Sequence, residues 1–400
     1  MTESDPPVVP PTSEAITPPP ISRADASGPP KRTAVRPVPP MSFSLIEARI
    51  RDEIYYADPP RSWFWGLFEA AVWWFGTLWV HVIGGIAVAI LVITYKVQMQ
   101  VPKPFDVTDP ASMAYLTGGE MLLFVLAAIL AVALRYWGSA LRELNFSKPD
   151  LRHIVIVLAM TLPLSMAVSV FSLPIQMAWQ ALGDVFPVLK FIDGLNVMEA
   201  VQDMSDNTSL STMIFVIAVL PAIGEELVFR GAIGRILISD LGLWGGVLVT
   251  SFLFGWMHIH PVHAMAVIPL GIVIHVVYLW TRSFWMPMLL HFANNTWASV
   301  AATLNTPDPM GQMQQLGLFD LLEMVTGGVV IGALATCLWQ SRVQFYLPDG
   351  QVYESSRFPV RVPAIPGIQS LAGTISPVVS IISVLSVVVY YLIFFLNWPA

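Results

Sequence analysis

About nine stretches of this chain are long and apolar enough to cross a bilayer, at roughly residues 68–95, 114–136, 154–179, 211–238, 243–260, 264–281, 284–304, 318–340 and 374–397. A backbone in hydrocarbon must satisfy its own hydrogen bonds, which restricts spanning structures to helices and closed barrels. Stretches of about 20 residues suit helices, since a barrel strand needs only about 10. The expected fold is therefore all-α, a polytopic membrane helix bundle with about nine transmembrane helices. Of the 400 residues 55% are hydrophobic and only 12% charged, with net charge -7. No basic face is available to neutralise phosphates, so nucleic acid is set aside as a partner and the lipid bilayer takes its place. The single cysteine, Cys337, lies in an apolar stretch, which leaves no intramolecular disulfide and no cysteine metal cluster.

Residues 1–42 are dense in proline, serine and threonine and poor in large apolar groups, so a disordered, Pro-rich cytoplasmic tail is expected. The tail lacks the short apolar core of a signal peptide, which makes the first hydrophobic segment a retained anchor. Residues 43–200 should hold an interfacial helix, with Ile46, Ile50 and Ile54 opposite Glu47, Arg51 and Asp52, and then the N-terminal transmembrane helices. An ordinary short cytosolic helix fits the same pattern. Residues 306–400 should hold the C-terminal transmembrane helices, with a short cytoplasmic hairpin or loop at "VQFYLPDGQVYESSRFPVRV", where alternation surrounds an Asp-Gly turn.

Lysine and arginine set the expected orientation. Arg23, Lys31, Arg32, Arg36, Arg49, Arg51 and Arg61 precede the first span and put the N-terminus in the cytoplasm. Arg142, Lys148, Arg152, Arg235, Arg282, Arg342, Arg357 and Arg361 then fall inside, and the loop with Asp184, Asp193, Glu199, Asp203 and Asp206 falls outside. An odd number of spans leaves the C-terminus outside.

Several ionisable residues sit inside this apolar pattern. "PAIGEELVFR" places Glu225, Glu226 and Arg230 in a spanning segment, where a charge near the bilayer centre costs roughly 2.5–3.5 kcal/mol. Glu226 and Arg230, four apart, can pair on one helical face, whereas Glu225 points about 100° away and must face groups from other helices. Pro221 removes a backbone hydrogen bond one turn earlier and should bend the helix around a cavity. Downstream, "FLFGWMHIHP" puts Phe254 and His258 one turn apart, and "HFANNTW" does the same for His291 and Asn295. Five of the 7 histidines lie between His258 and His291, and imidazoles accumulate in spans only with polar company. His260 and His263 read as loop residues near the membrane surface, and His275 as a hydrogen-bonding partner of a neighbouring helix.

These patterns resemble the CPBP family of intramembrane proteases, which includes type II CAAX prenyl proteases and bacteriocin-processing or self-immunity proteins. The three signatures are Glu-Glu-x-x-x-Arg at Glu225, Glu226 and Arg230, Phe-x-x-x-His at Phe254 and His258, and His-x-x-x-Asn at His291 and Asn295. The resemblance spans about residues 205–305, the expected catalytic core. It implies amide hydrolysis within the membrane; the expected location is a bacterial inner or cell membrane, and for a bacterial source the expected substrate is a peptide or membrane protein. The residue types suit that chemistry: Glu225 with His258 can polarise a water as general base, and His291 and Asn295 can donate to the oxyanion. Glu226, Arg230 and Phe254 then support the site. No cofactor is required on this reading. Zinc held by His258, His291 and Glu225 is the alternative mechanism, although the local His-Glu-x-x-His pattern is missing. Two other functions use the same features: a non-catalytic scaffold or immunity factor of this fold, and a transporter, which the lack of a repeat between the halves disfavours.

Overall fold

The computed structural model describes residues 62–106, 109–195, 201–202, 204–206, 208–304, 318–353 and 359–397. The expected tail and interfacial helix, with Glu199, Asp203 and Arg357, lie outside the described residues. The main helices are α1 Trp63–Gln98, α2 Pro110–Tyr136, α3 Leu151–Val185, α4 Leu210–Trp256, α5 Pro261–Thr281, α6 Trp285–Thr303, α7 Leu318–Gln340 and α8 Pro377–Asn397. Polar caps begin three of them. Asp109, Asp150 and Ser209 accept the backbone N–H of Ser112, Arg152 and Thr212 at the starts of α2, α3 and α4. Lys96, buried near the end of α1, reaches Asp109 Oδ2 at 2.7 Å and ties the α1–α2 turn.

Seven helices among the described residues are long and apolar enough to span, in an all-α polytopic bundle; a count of nine is not reached. Two physical reasons account for the difference. The expected spans 211–238 and 243–260 run together as the 47 residues of α4, and α6 is made too polar by His291, Asn294, Asn295, Thr296 and Ser299. Yet α4 is not one straight rod. At Gly242 the backbone has φ 77° and ψ 172°, a region almost closed to residues with a side chain. Residues 238 and 246 would be about 12 Å apart along a continuous helix. Instead a Cβ on Gly246 would stand 2.4 Å from the Ile238 nitrogen. The chain folds sharply at Gly242, giving α4 two arms that pack on each other.

Two apolar clusters fill the bundle, and α5 contributes to both. Ile274 joins Val157, Met160, Leu290, Val330 and Tyr390 from α3, α6, α7 and α8. Tyr278 joins Phe124, Phe229, Leu237 and Phe254 from α2 and α4. Between α7 and α8 the chain forms β1 Val343–Tyr346, β2 Val352–Tyr353 and β3 Gln369–Ala372, an antiparallel sheet of order β2-β1-β3. The β1–β2 turn passes through Gly350 at φ 86°, with Asp349 Oδ1 accepting the Gln351 N–H at 2.9 Å.

At one end of the bundle the loops are bolted together through Glu143. Its carboxylate accepts from Arg235 of α4 at 2.5 Å and from Arg142 at 3.2 Å, and lies 3.1 Å from Arg361 Nε of the segment before β3. At the other end, the 3₁₀ segment Pro187–Leu195 meets the α4–α5 turn, where Asp193 faces His260.

Candidate functional site

Pro221 shapes the first arm of α4. A proline has no N–H to return to the carbonyl four residues earlier, which here is that of Ile217. The helix widens into π turns at Ile214–Val219 and Leu227–Ile233, on either side of Leu220–Glu226. Such turns recur at functional sites. Asn295 Nδ2 donates to the Ile217 carbonyl at 3.0 Å, so α6 supplies a donor at the carbonyl that the proline cannot serve. The side-chain Oδ1 of the neighbouring Asn294 accepts from the Ser165 hydroxyl of α3 at 2.8 Å.

Glu226 and Arg230 are both fully buried and paired at 2.8 Å. The guanidinium also donates to the Gly271 carbonyl of α5 at 2.9 Å and lies over the Phe254 ring at 4.6 Å. Offsetting a buried charge takes several partners of this kind. The same Glu226 oxygen accepts from His291 Nδ1 at 2.8 Å. A carboxylate has no hydrogen to give, so Nδ1 of His291 must be the donor, and Nε2 of the neutral ring carries a lone pair. That lone pair faces Glu225 Oε2 at 3.9 Å, too far for a direct hydrogen bond. Glu225 is the partly open member of the pair, with 13% of its side chain exposed against none for Glu226.

His258 approaches from the second arm of α4. Its Nδ1 lies 3.2 Å from the Phe254 carbonyl and 3.3 Å from that of Gly255, which again makes Nδ1 the donor and Nε2 the reactive nitrogen. Phe254, 1% exposed, is the shared neighbour. It stands edge-on to His258 at 5.5 Å and to His291 at 5.8 Å. The His263 ring lies 4.4 Å from that of His258.

The structure thus brings Glu226, Arg230, Phe254, His258 and His291 around one aromatic ring and one carboxylate, with Glu225 3.9 Å from His291 Nε2. Asn295 lies one turn beyond His291 with one amide hydrogen committed to Ile217. The small cavity bordering Arg230 is lined by Arg235, His275, Tyr278 and Val360 and by no other motif residue. Sequence spacing finds the Glu226–Arg230 pair but misses that Glu226 also orients His291, 65 residues away, because no local period encodes that contact. The imidazole facing Glu225 is that of His291, where the sequence reading pairs Glu225 with His258. As for zinc, the His291 Nδ1 bond to Glu226 leaves Nε2 as the open ring nitrogen, and among the described residues no three His, Cys, Asp or Glu side chains gather at metal-holding spacing.

Residues 207–297, from the start of α4 into α6, match the family described as Rce1-like, type II CAAX prenyl endopeptidase Rce1-like, and the matched span contains all the motif residues. No curated protein and no solved structure matches the chain.

Proposed function

We propose, from the match of residues 207–297 to the type II CAAX prenyl endopeptidases, that this membrane protein is an intramembrane endopeptidase that hydrolyses a peptide bond in a peptide or membrane-protein substrate with a glutamate- and histidine-activated water. The observation that carries the reading is the placement of the His291 ring, with Nδ1 on Glu226 and Nε2 turned to Glu225. With Nδ1–H bound to Glu226, its Nε2 lone pair and the Glu225 carboxylate stand 3.9 Å apart, a gap that one water bridges by hydrogen bonds of about 2.8 Å to each. Glu225 takes the proton as the water oxygen attacks the carbonyl carbon. The second Asn295 amide hydrogen donates to the oxyanion, while His258 Nε2 takes up the proton that Glu225 removed from the water. The proton then passes to the leaving nitrogen, the C–N bond breaks, and the new carboxyl group gives its own proton to the amine, so that a carboxylate and an ammonium group result. No step passes through a metal.

The test compares membranes from cells carrying the wild type with membranes carrying Glu225→Ala, by sequencing peptide termini. New membrane-protein termini confined to the wild type support the reading. Identical termini in both, together with no cleavage of a quenched prenylated CAAX peptide by the purified wild type, overturn it.

A further inference from the structure

The turn that follows His258 is strained, and a segment outside the matched family span holds it. The His260 N–H donates to the His258 carbonyl at 2.6 Å across Ile259, whose φ is 62°. A hydrogen bond from residue i+2 to residue i around a positive φ is the rarer, strained form of γ-turn. Isoleucine is β-branched, and a positive φ is an outlier for it. Such a conformation persists only when its surroundings over-determine it. Ile259 does not hold itself in place, because 55% of it is exposed.

Two neighbours supply the constraint. Pro261 follows His260 and keeps it extended, at φ -65° and ψ 122°. Asp193, in the 3₁₀ segment Pro187–Leu195, accepts the indole N–H of Trp179 through Oδ1 at 2.8 Å. The same oxygen faces His260 Nε2 at 3.6 Å, and the His260 ring, only 5% exposed, meets Trp179 edge-on at 5.9 Å. Trp179 belongs to α3, so three elements close on this turn. The nearby histidines form no metal site, since no group of the required spacing exists among the described residues.

We propose that Asp193 is a positioning residue: with Trp179 it clamps His260, holds the Ile259 turn in its strained form and thereby fixes the imidazole of His258 for the reaction. The proposal rests on the intramembrane endopeptidase reading for its effect on catalysis. Its effect on the His258 ring is independent of that reading. The N-terminal half of the chain, which the family match does not reach, then contributes directly to the geometry of the site.

The test uses the full chain, ¹⁵N-labelled at histidine, in lipid nanodiscs, with cleavage of the quenched prenylated CAAX peptide measured in parallel. Asp193→Ala should move or split the His258 ring signals while leaving those of His291 unchanged, and should lower kcat about 10–100-fold with little change in KM. Asp193→Asn keeps an acceptor for Trp179 and should lose less. Glycine accepts a positive φ without strain, so adding Ile259→Gly to Asp193→Ala should restore the His258 signals and most of kcat. Unchanged His258 signals in Asp193→Ala overturn the proposal, as does a double variant that recovers nothing. Should the alanine variant fail to fold, Asp193→Asn and its combination with Ile259→Gly are read by the same criteria. A wild type that does not cleave the peptide counts against the endopeptidase reading, and the ring signals still decide the role of Asp193.

Discussion

Glu226 serves Arg230 and His291 through one oxygen atom, so its removal has two separable consequences. Glu226→Ala leaves a fully buried guanidinium without its carboxylate, and should cost about 3–5 kcal/mol, read as a lower yield of folded protein and a lower Tm. Glu225→Ala removes a partly open side chain with no direct hydrogen bond, and should melt close to the wild type while losing turnover. A dead but stable Glu226→Ala beside a fully active Glu225→Ala would reverse these roles. Asn295→Ala should reduce turnover about 10²–10³-fold through the lost oxyanion donor. It should also lower Tm, since an unserved Ile217 carbonyl costs about 1–3 kcal/mol. Purified protein should hold less than about one zinc per chain and keep its activity in chelator, because Asn295 is a hydrogen-bond donor and a poor zinc ligand. Stoichiometric zinc, lost and regained together with activity, would overturn the metal-free reaction. At this scale the sequence was legible wherever partners lie one helical turn apart. Glu226 with Arg230 and Phe254 with His258 follow from spacing alone, whereas the Glu226–His291 contact depends on how α4 and α6 dock.

At the scale of elements, backbone exceptions matter more than helix propensity. Gly242 divides α4 in a conformation nearly closed to other residues, so Gly242→Ala should cost about 1–3 kcal/mol and lower Tm without altering the motif chemistry. A Cβ on Gly255 would stand 2.4 Å from the Ala264 carbonyl oxygen, so Gly255→Ala should push α5 off the second arm of α4 and disturb His258 beside it. Apolar runs reveal where hydrocarbon is crossed, but two runs separated by a few residues look alike whether a loop or a single folded glycine joins them. The run 284–304 already marks α6 as apolar, and its polar residues from His291 to Ser299 are what keep it out of the seven. The β1–β2 pairing could be read from alternation and the Asp-Gly turn. The addition of β3 could not, because its partner strand lies more than 20 residues away.

Across the whole molecule, the arginine-bearing loops and the acidic segment occupy different ends of the bundle. Burial pushes the Glu143 carboxyl up, but Arg235, Arg361 and Arg142 draw it down further, leaving it below its usual value of 4.5. A depressed folded value stabilises the protein above the unfolded pKa, and that stability is lost as pH falls below it. The Tm difference between wild type and Glu143→Gln should hold from pH 7 to about 4.5 and close at lower pH. On the orientation expected from the positive-inside pattern, this end would face the cytoplasm. In a chain lacking Cys337, Lys148→Cys and Asp184→Cys should therefore be labelled by impermeant maleimide from opposite sides, and labelling from one side would refute that topology. The positive and acidic loops named the two ends, but only packing joined Arg142, Arg235 and Arg361 on one carboxylate. The fold at Gly242 also fixes depth. Glu225 lies near the middle of the first arm of α4, with roughly 24 Å of helix on either side at 1.5 Å per residue. On the endopeptidase reading, a substrate cut there would enter sideways from lipid, and an intact helix shields its own peptide bonds. The scissile segment must unwind before it is hydrolysed, so cleavage should favour spans that carry glycine, proline or serine at mid-membrane, and replacing these by leucine in a cleaved protein should protect it.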